Sequence, residues 1–111
     1  MNFLVERIHK NLVLGAKLVA YIGSVKETRA VRQWADGERK PSAEVVTRLR
    51  HAYHVAALLA ERDSRSVVQA WFQGMNPQLD DMPPAQLLRE GQVEDAAQAV
   101  LAAARAFAAA G

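Results

Sequence analysis

The sequence predicts an all-α protein of about seven helices. Apolar residues recur at helical spacing along most of the chain, and no alternating run is long enough to predict a strand. Alanine is abundant and aromatic residues make up only 6% of the chain, which favours helices that pack closely together. With 111 residues, half of them hydrophobic, the chain suffices for one domain or for two small helical units that share a core.

Two helices are predicted before residue 24. The apolar spacing indicates helices over residues 2–10 and 14–22, and Gly23 ends the second. The chain has no cysteine, so we expect neither a disulfide nor a thiolate metal site. This composition fits a reducing compartment, and we expect the protein to be cytoplasmic. Charged and polar side chains interrupt the first apolar run, which argues against a signal peptide or a membrane span: Glu6, Arg7, His9 and Lys10.

A third helix is predicted after this turn. The run Ser24-Val-Lys-Glu27 matches a capping box, in which the serine oxygen accepts the Glu27 amide while the Glu27 side chain reaches back to Ser24. We therefore expect a helix over residues 25–36, with Gly37 as the residue that closes it.

Four further helices are predicted in the rest of the chain. Serines cap two of them, while prolines and a glycine between residues 74 and 84 forbid a continuous helix there. The predicted spans are 43–62, 65–73, 85–89 and 93–110, with caps at Ser42 and Ser64, Pro84 at the first position of the third and Gly91 at its end.

Charge is unevenly distributed along the sequence. Residues 1–50 hold ten lysines and arginines against five acidic residues, whereas residues 51–111 hold four against seven. The net charge of +2 therefore combines a basic first half with an acidic second half. Such an asymmetry indicates different partners for the two halves, although chance alone can produce it in a short chain.

Trp34 lies among arginines, so its ring either stacks on a ligand or anchors the core. On a helical wheel it shares a face with Ala30, Val31 and Ala35. An indole at such a position is typical of a core anchor. The opposite face is polar and comprises Lys26, Arg29, Arg32, Gln33 and Asp36.

A short cationic helix that follows another short helix and a turn predicts a helix-turn-helix unit. The guanidinium of arginine can donate two hydrogen bonds to guanine O6 and N7, and glutamine can form a bidentate pair with adenine. Flanking cations can bind phosphates. The charge pattern alone is equally compatible with a solvated surface helix. The candidate DNA-binding residues are Lys17, Lys26, Thr28, Arg29, Arg32, Gln33, Arg39 and Lys40.

The pattern Val31-x-x-Trp34-x-x-Gly37-x-x-x-Pro41-Ser42 resembles the end of the recognition helix and the following loop in Xre-type, phage-repressor-like helix-turn-helix proteins. The spacing from Gly23 to Val31 is about two residues longer than in that family. Either the turn is extended or the recognition helix begins half a turn early. Which residue between positions 26 and 29 reaches the bases stays open.

The second half carries a series of short motifs. Asn76 precedes a proline, which excludes the α conformation and suits a turn closed by the asparagine side chain. Trp71 and Phe72 are adjacent and cannot both face one core, so we expect one of them to face a partner. The motifs, in order, are Ala70-Trp71-Phe72, Asn76-Pro77-x-Leu79 and Pro83-Pro84-x-x-Leu87-Leu88-Arg89-x-Gly91.

This order resembles the toxin-binding domain of Xre/MbcA/ParS-type antitoxins, the partners of RES-domain toxins, over about residues 58–111. The resemblance implies a helix-turn-helix domain over residues 1–62 and a toxin-binding domain over residues 63–111. The candidate toxin-binding or dimerisation residues are Trp71, Phe72, Met75, Asn76, Pro77, Leu79, Pro84, Leu87 and Leu88.

The function that this resemblance implies is that of an antitoxin. Such proteins form homodimers through the C-terminal region, neutralise a toxin there and repress their own operon through double-stranded operator DNA. RES toxins resemble ADP-ribosyltransferases and consume NAD. In some relatives the C-terminal segment blocks the toxin's active site; here that segment, residues 104–111, has one charged residue, Arg105.

No pattern in the sequence predicts an enzyme or a cofactor. His51 and His54 are three residues apart but have no third ligand near in sequence, and Asp80-Asp81 is more typical of a solvated loop than of a catalytic pair. Nucleophile, P-loop and dinucleotide motifs are absent. The competing hypothesis is a stand-alone helix-turn-helix regulator or interaction protein without a toxin.

Overall fold

Helices account for most of the computed structural model, which describes residues 13–110. The predicted helix over residues 2–10 lies outside this range. No strand occurs in the described part of the chain, so the all-α prediction is confirmed. The helices are α1 (Ala16–Ile22), α2 (Thr28–Ala35), α3 (Ala43–Ala60), α4 (Arg65–Gln73), a 3-10 helix (Pro77–Leu79), α5 (Pro84–Glu90) and α6 (Val93–Ala110).

The capping box predicted at Ser24 and Glu27 is wrong. Helix α2 begins at Thr28, and the residue that precedes it, Glu27, is extended and makes no side-chain cap. Ser24 adopts a left-handed conformation with φ of 60°, whereas an N-cap residue needs an extended one. The turn between α1 and α2 therefore spans five residues, 23–27, and the extended turn is the correct alternative.

Ser24 instead closes α1. The Ser24 amide donates to the Tyr21 carbonyl at 3.1 Å, and the Val25 amide donates to the Ala20 carbonyl at 3.0 Å. This pair of bonds around a left-handed residue is a Schellman motif, in which glycine is the usual left-handed residue. Serine takes that position here, and Gly23 lies one residue earlier with an ordinary φ of −79°.

Gly23 is needed for space rather than for its backbone conformation. A Cβ atom at this position would lie 2.8 Å from Cη2 of Trp34, well inside van der Waals contact. The indole is 3% exposed and packs against the end of α1. Trp34 is therefore a core anchor, as the wheel predicted, and glycine allows α2 to approach α1 closely.

Most other predicted helix ends are observed. The side-chain oxygens of Ser42 and Ser64 each accept a hydrogen bond from the backbone N–H three residues further on, with N–O distances of 3.2 and 3.3 Å. Gly37 has a φ of 76° and follows the last residues of α2, as expected for a helix-closing glycine. The Asn76 side chain accepts the Gln78 amide at 2.9 Å and so forms the turn that Asn-Pro predicts.

One hydrophobic core contains side chains from both predicted domains. Ile22 and Leu49 come from the first, and Phe72 and Val100 from the second; all four are fully buried. The long helices α3 and α6 pack along each other across the predicted boundary at residue 62. The predicted division into a DNA-binding and a toxin-binding part can therefore concern only surfaces, because the core is common to both.

Arg48 ties α3 to the end of α5. Its Nη1 donates to the carbonyls of Leu88 at 2.7 Å and Gly91 at 2.8 Å, and its Nη2 lies 3.4 Å from Glu44. The last carbonyls of a helix lack partners within the helix and carry partial negative charge. The guanidinium satisfies them while only 12% of the Arg48 side chain stays exposed.

We expect Gly23→Ala to destabilise the protein by about 1–3 kcal/mol, as overpacking of a core usually does. Without the indole, the same change at an ordinary φ would be expected to stabilise by about 0.4–1 kcal/mol. The free energy of unfolding in urea measures the effect.

The control is the same substitution in a Trp34→Phe background, where the smaller ring leaves more room for the methyl group. The cost of Gly23→Ala should fall clearly there. An equal cost in both backgrounds would mean that contact with the indole is not what requires glycine.

Candidate DNA-binding and partner-binding surfaces

The polar face of α2 is open to solvent. Ala30, Val31 and Trp34 are buried, whereas Arg29 and Arg32 are exposed and Gln33 is partly exposed. Helix α2 and the preceding helix α1 pack directly against each other, as the predicted helix-turn-helix requires. Because α2 begins at residue 28, Thr28 and Arg29 occupy its first turn, the part that meets base edges when such a helix enters a major groove.

Further predicted cations surround this face. Lys17 on α1 and Lys26 in the turn are exposed, as are Arg39 and Lys40 beyond α2. A shallow groove of about 490 Å³ runs along the turn and the side of α2. Its polar lining comprises Ser24, Lys26, Glu27, Arg29, Gln33 and Arg39.

Arg89 adds a cation that the sequence did not place here. Its Nη1 donates to the Tyr21 carbonyl at 3.3 Å, and its guanidinium carbon lies 4.7 Å from the centroid of the Tyr21 ring. It lines a second groove of about 820 Å³ together with Lys17, Lys26 and Arg29. Arg89 and Tyr21 are 68 residues apart, so local pattern gives no signal for this contact.

The structure decides which of the two adjacent aromatic residues is accessible. Phe72 is completely buried, whereas Trp71 is partly exposed and packs on the edge of the core. Their rings meet edge to face with centroids 5.2 Å apart and planes at 87°, a favourable aromatic geometry. Trp71 is thus the member of the pair that is available to a partner.

Trp71 lines an apolar groove of about 400 Å³ between α4, the following loop and α6. Phe107, whose ring centroid is 6.3 Å from that of Trp71, forms the opposite side and is 41% exposed. Met75 is 78% exposed at the rim. Much of the Phe107 ring is therefore in contact with solvent, although the helix that carries it packs against the core.

The other candidate partner-binding residues divide by burial. Five of the nine shape the surface from within: Phe72, Asn76, Leu79, Pro84 and Leu88 are buried. The remaining four offer accessible atoms to a partner: Trp71, Met75, Pro77 and Leu87 are partly or fully exposed. Prediction of contact residues from motif positions alone cannot make this distinction.

The described residues offer no group of three metal-ligating side chains, and His54 is exposed while His51 is partly buried.

Burial raises the pKa of the Tyr53 hydroxyl above its usual range, so this core group stays neutral and protonated. Within residues 13–110, no helix is both long and apolar enough to cross a membrane.

The chain has a structural relative that matches it along nearly its whole length. Among solved structures it matches the crystal structure of the M. tuberculosis MbcT-MbcA toxin-antitoxin complex, with 27% identity and a TM-score of 0.70. The alignment covers 96% of this chain and 97% of the matched chain. No family model matches the chain, and neither does any curated protein sequence.

The chain is similar to the antitoxin MbcA. This match confirms the resemblance to an Xre/MbcA/ParS-type antitoxin that the motifs indicated. It extends over nearly the whole length of both chains, so it includes α1 and α2 as well as the helices around Trp71. The similarity supports an antitoxin role and a toxin as partner, and it favours a regulatory protein over an enzyme.

Proposed function

We propose that this protein is the antitoxin of a type II toxin-antitoxin system, which neutralises a RES-type, NAD-consuming toxin and represses its own operon as a DNA-binding homodimer. The full-length similarity to a chain of a toxin-antitoxin complex carries this proposal. Two separate surfaces support it: the cationic face of α2 with its flanking grooves, and the apolar groove beside Trp71.

The DNA-binding part of the proposal rests on chemistry and shape. Arg29, Arg32 and Gln33 carry side chains that recognise base edges, and they lie on the face of α2 away from the core. A single helix offers few contacts, so specificity requires two copies, whose recognition helices would lie about 34 Å apart to read a palindrome. We therefore include the homodimer in the proposal.

We expect the full-length protein to bind the DNA immediately upstream of its own gene. Arg29→Ala or Arg32→Ala should weaken this binding by about 1–3 kcal/mol if the residue makes a bidentate contact with a guanine, with little effect on an unrelated duplex. Lys40→Ala should instead weaken binding to both duplexes alike. It should also reduce the salt dependence of the affinity by the amount that one phosphate contact contributes. Fluorescence anisotropy over a range of salt concentrations measures both effects.

Arg105→Ala is the matched control, because Arg105 is an exposed arginine on the last helix and lies outside both basic grooves. Its affinity for DNA should equal that of the unmodified protein. If the unmodified protein binds neither duplex in low salt, with or without its partner, the DNA-binding part of the proposal is wrong.

The toxin-binding part rests on the apolar groove. Trp71 and Phe107 present ring surface there, and Met75 adds a flexible apolar side chain that adapts to a partner's surface. Binding energy in protein interfaces concentrates in a few such anchors, with tryptophan prominent among them. We propose that the toxin packs against this groove.

Met75→Glu should weaken toxin binding at least about tenfold, because an unpaired carboxylate would have to leave water in an apolar contact. Met75 is 78% exposed, so the folded protein should tolerate the change. Co-expression with a RES-type toxin encoded beside its gene tests growth rescue, and calorimetry on the purified pair gives the affinity.

Val67→Glu provides the control. Val67 is 40% exposed on α4 outside the groove, and glutamate three residues after the Ser64 cap is favourable at a helix start. Its toxin binding should be unchanged. Equal affinity of both variants would exclude the groove as the contact surface, and the absence of any RES-type partner would favour a stand-alone regulator.

A further inference from the structure

A cation from the predicted toxin-binding part lies on the surface proposed to bind DNA. Arg89 belongs to α5, yet its guanidinium lies against Tyr21 at the end of α1. The ring face of Tyr21 and its carbonyl hold the group from two sides, at 4.7 Å and 3.3 Å. Arginine stacked on a ring and bonded to a carbonyl loses much of its freedom before any ligand arrives.

This arrangement leaves the guanidinium able to bind an anion. Of its five N–H donors, the contacts with the described residues use one, on Nη1. Arg89 is partly exposed and lines the groove of about 820 Å³ between α1, the turn and α5. A fixed arginine with free donors is suited to a phosphate, whose oxygens accept two parallel N–H bonds.

The groove itself favours a negative ligand. Three further cations line it, Lys17, Lys26 and Arg29, against one carboxylate, that of Glu27. Thr28 and Arg29, which begin the proposed recognition helix, form one wall. When the start of such a helix enters a major groove, the phosphates of the adjoining strand lie beside it.

The geometry points to Arg89 as a phosphate-binding residue of the DNA interface, supplied by α5 rather than by the helix-turn-helix. The ligand is a phosphodiester of the DNA strand next to the base-contacting residues. This inference rests on the proposed DNA binding. It makes the DNA surface composite, since residues 1–62 alone do not contain the cation that Tyr21 holds.

Arg89→Gln tests the inference in the full-length protein. A plot of log affinity against log salt concentration has a negative slope. Loss of one phosphate contact should reduce the magnitude of this slope by about 0.9 and reduce affinity about fivefold at 0.15 M salt. The loss should be equal for upstream DNA and for an unrelated duplex, because phosphates carry no sequence information. Arg89→Lys should restore most of the slope, because it keeps the charge.

Arg105→Gln is the control and should leave the slope unchanged. Thermal unfolding of each variant shows whether Arg89→Gln acts through folding; if it does, the slopes of Arg89→Gln and of the unmodified protein are compared at a temperature at which both are folded. If Arg89→Gln keeps the slope of the unmodified protein, the inference is wrong. It is equally wrong if Arg89→Gln weakens toxin binding and leaves DNA binding unchanged.

Two failures are distinguishable. An unmodified protein that binds no duplex at low salt overturns the proposed DNA binding and this inference with it. An unmodified protein that binds DNA, with Arg29→Ala weakened and Arg89→Gln unaffected, overturns the role of Arg89 alone.

Discussion

The close contact between the Trp34 indole and Gly23 is the constraint on which the packing of α2 against α1 depends. The ring fills the space where α2 crosses the end of α1, and a single methyl group at Gly23 would occupy that space. The buried indole N–H finds no hydrogen-bond acceptor among the described residues, so the ring serves through its bulk. The orientation of Arg29 and Arg32 toward solvent follows from this packing, because Trp34 fixes the rotation of α2.

The same core carries both proposed functions. Arg48 and the α3–α6 contact join the two parts of the chain, and Phe72 and Leu88 belong to the core that both parts share. Trp71 contacts Phe72, so the apolar groove rests directly on the core. A truncation at residue 62 would expose that core, which is why point variants of the full chain separate the two functions more clearly than fragments do.

Helix existence and the cap serines were predictable because each depends on a few neighbouring residues. Ser24 shows where local information fails: its sequence fits a capping box, but it ends the preceding helix in a left-handed conformation. Gly23, the residue expected to stop α1, is required by the ring of Trp34, which belongs to the next helix. Of the candidate sites, the polar face of α2 followed from periodicity, whereas the exposure of Trp71 rather than Phe72 needed the tertiary packing.

The distribution of charged residues along the sequence differs from their distribution on the surface of the folded protein. Arg89 belongs to the acidic second half by sequence, yet folding brings it to the groove that contains Lys17, Lys26 and Arg29. Long-range attraction of DNA depends on the summed field of nearby charges, not on their order in the sequence. The Tyr21 ring and carbonyl hold Arg89 there at the end of α1, where the helix dipole also favours a cation. The basic surface is therefore a product of the tertiary fold, and the boundary between basic and acidic halves does not coincide with the boundary of the surface proposed to bind DNA.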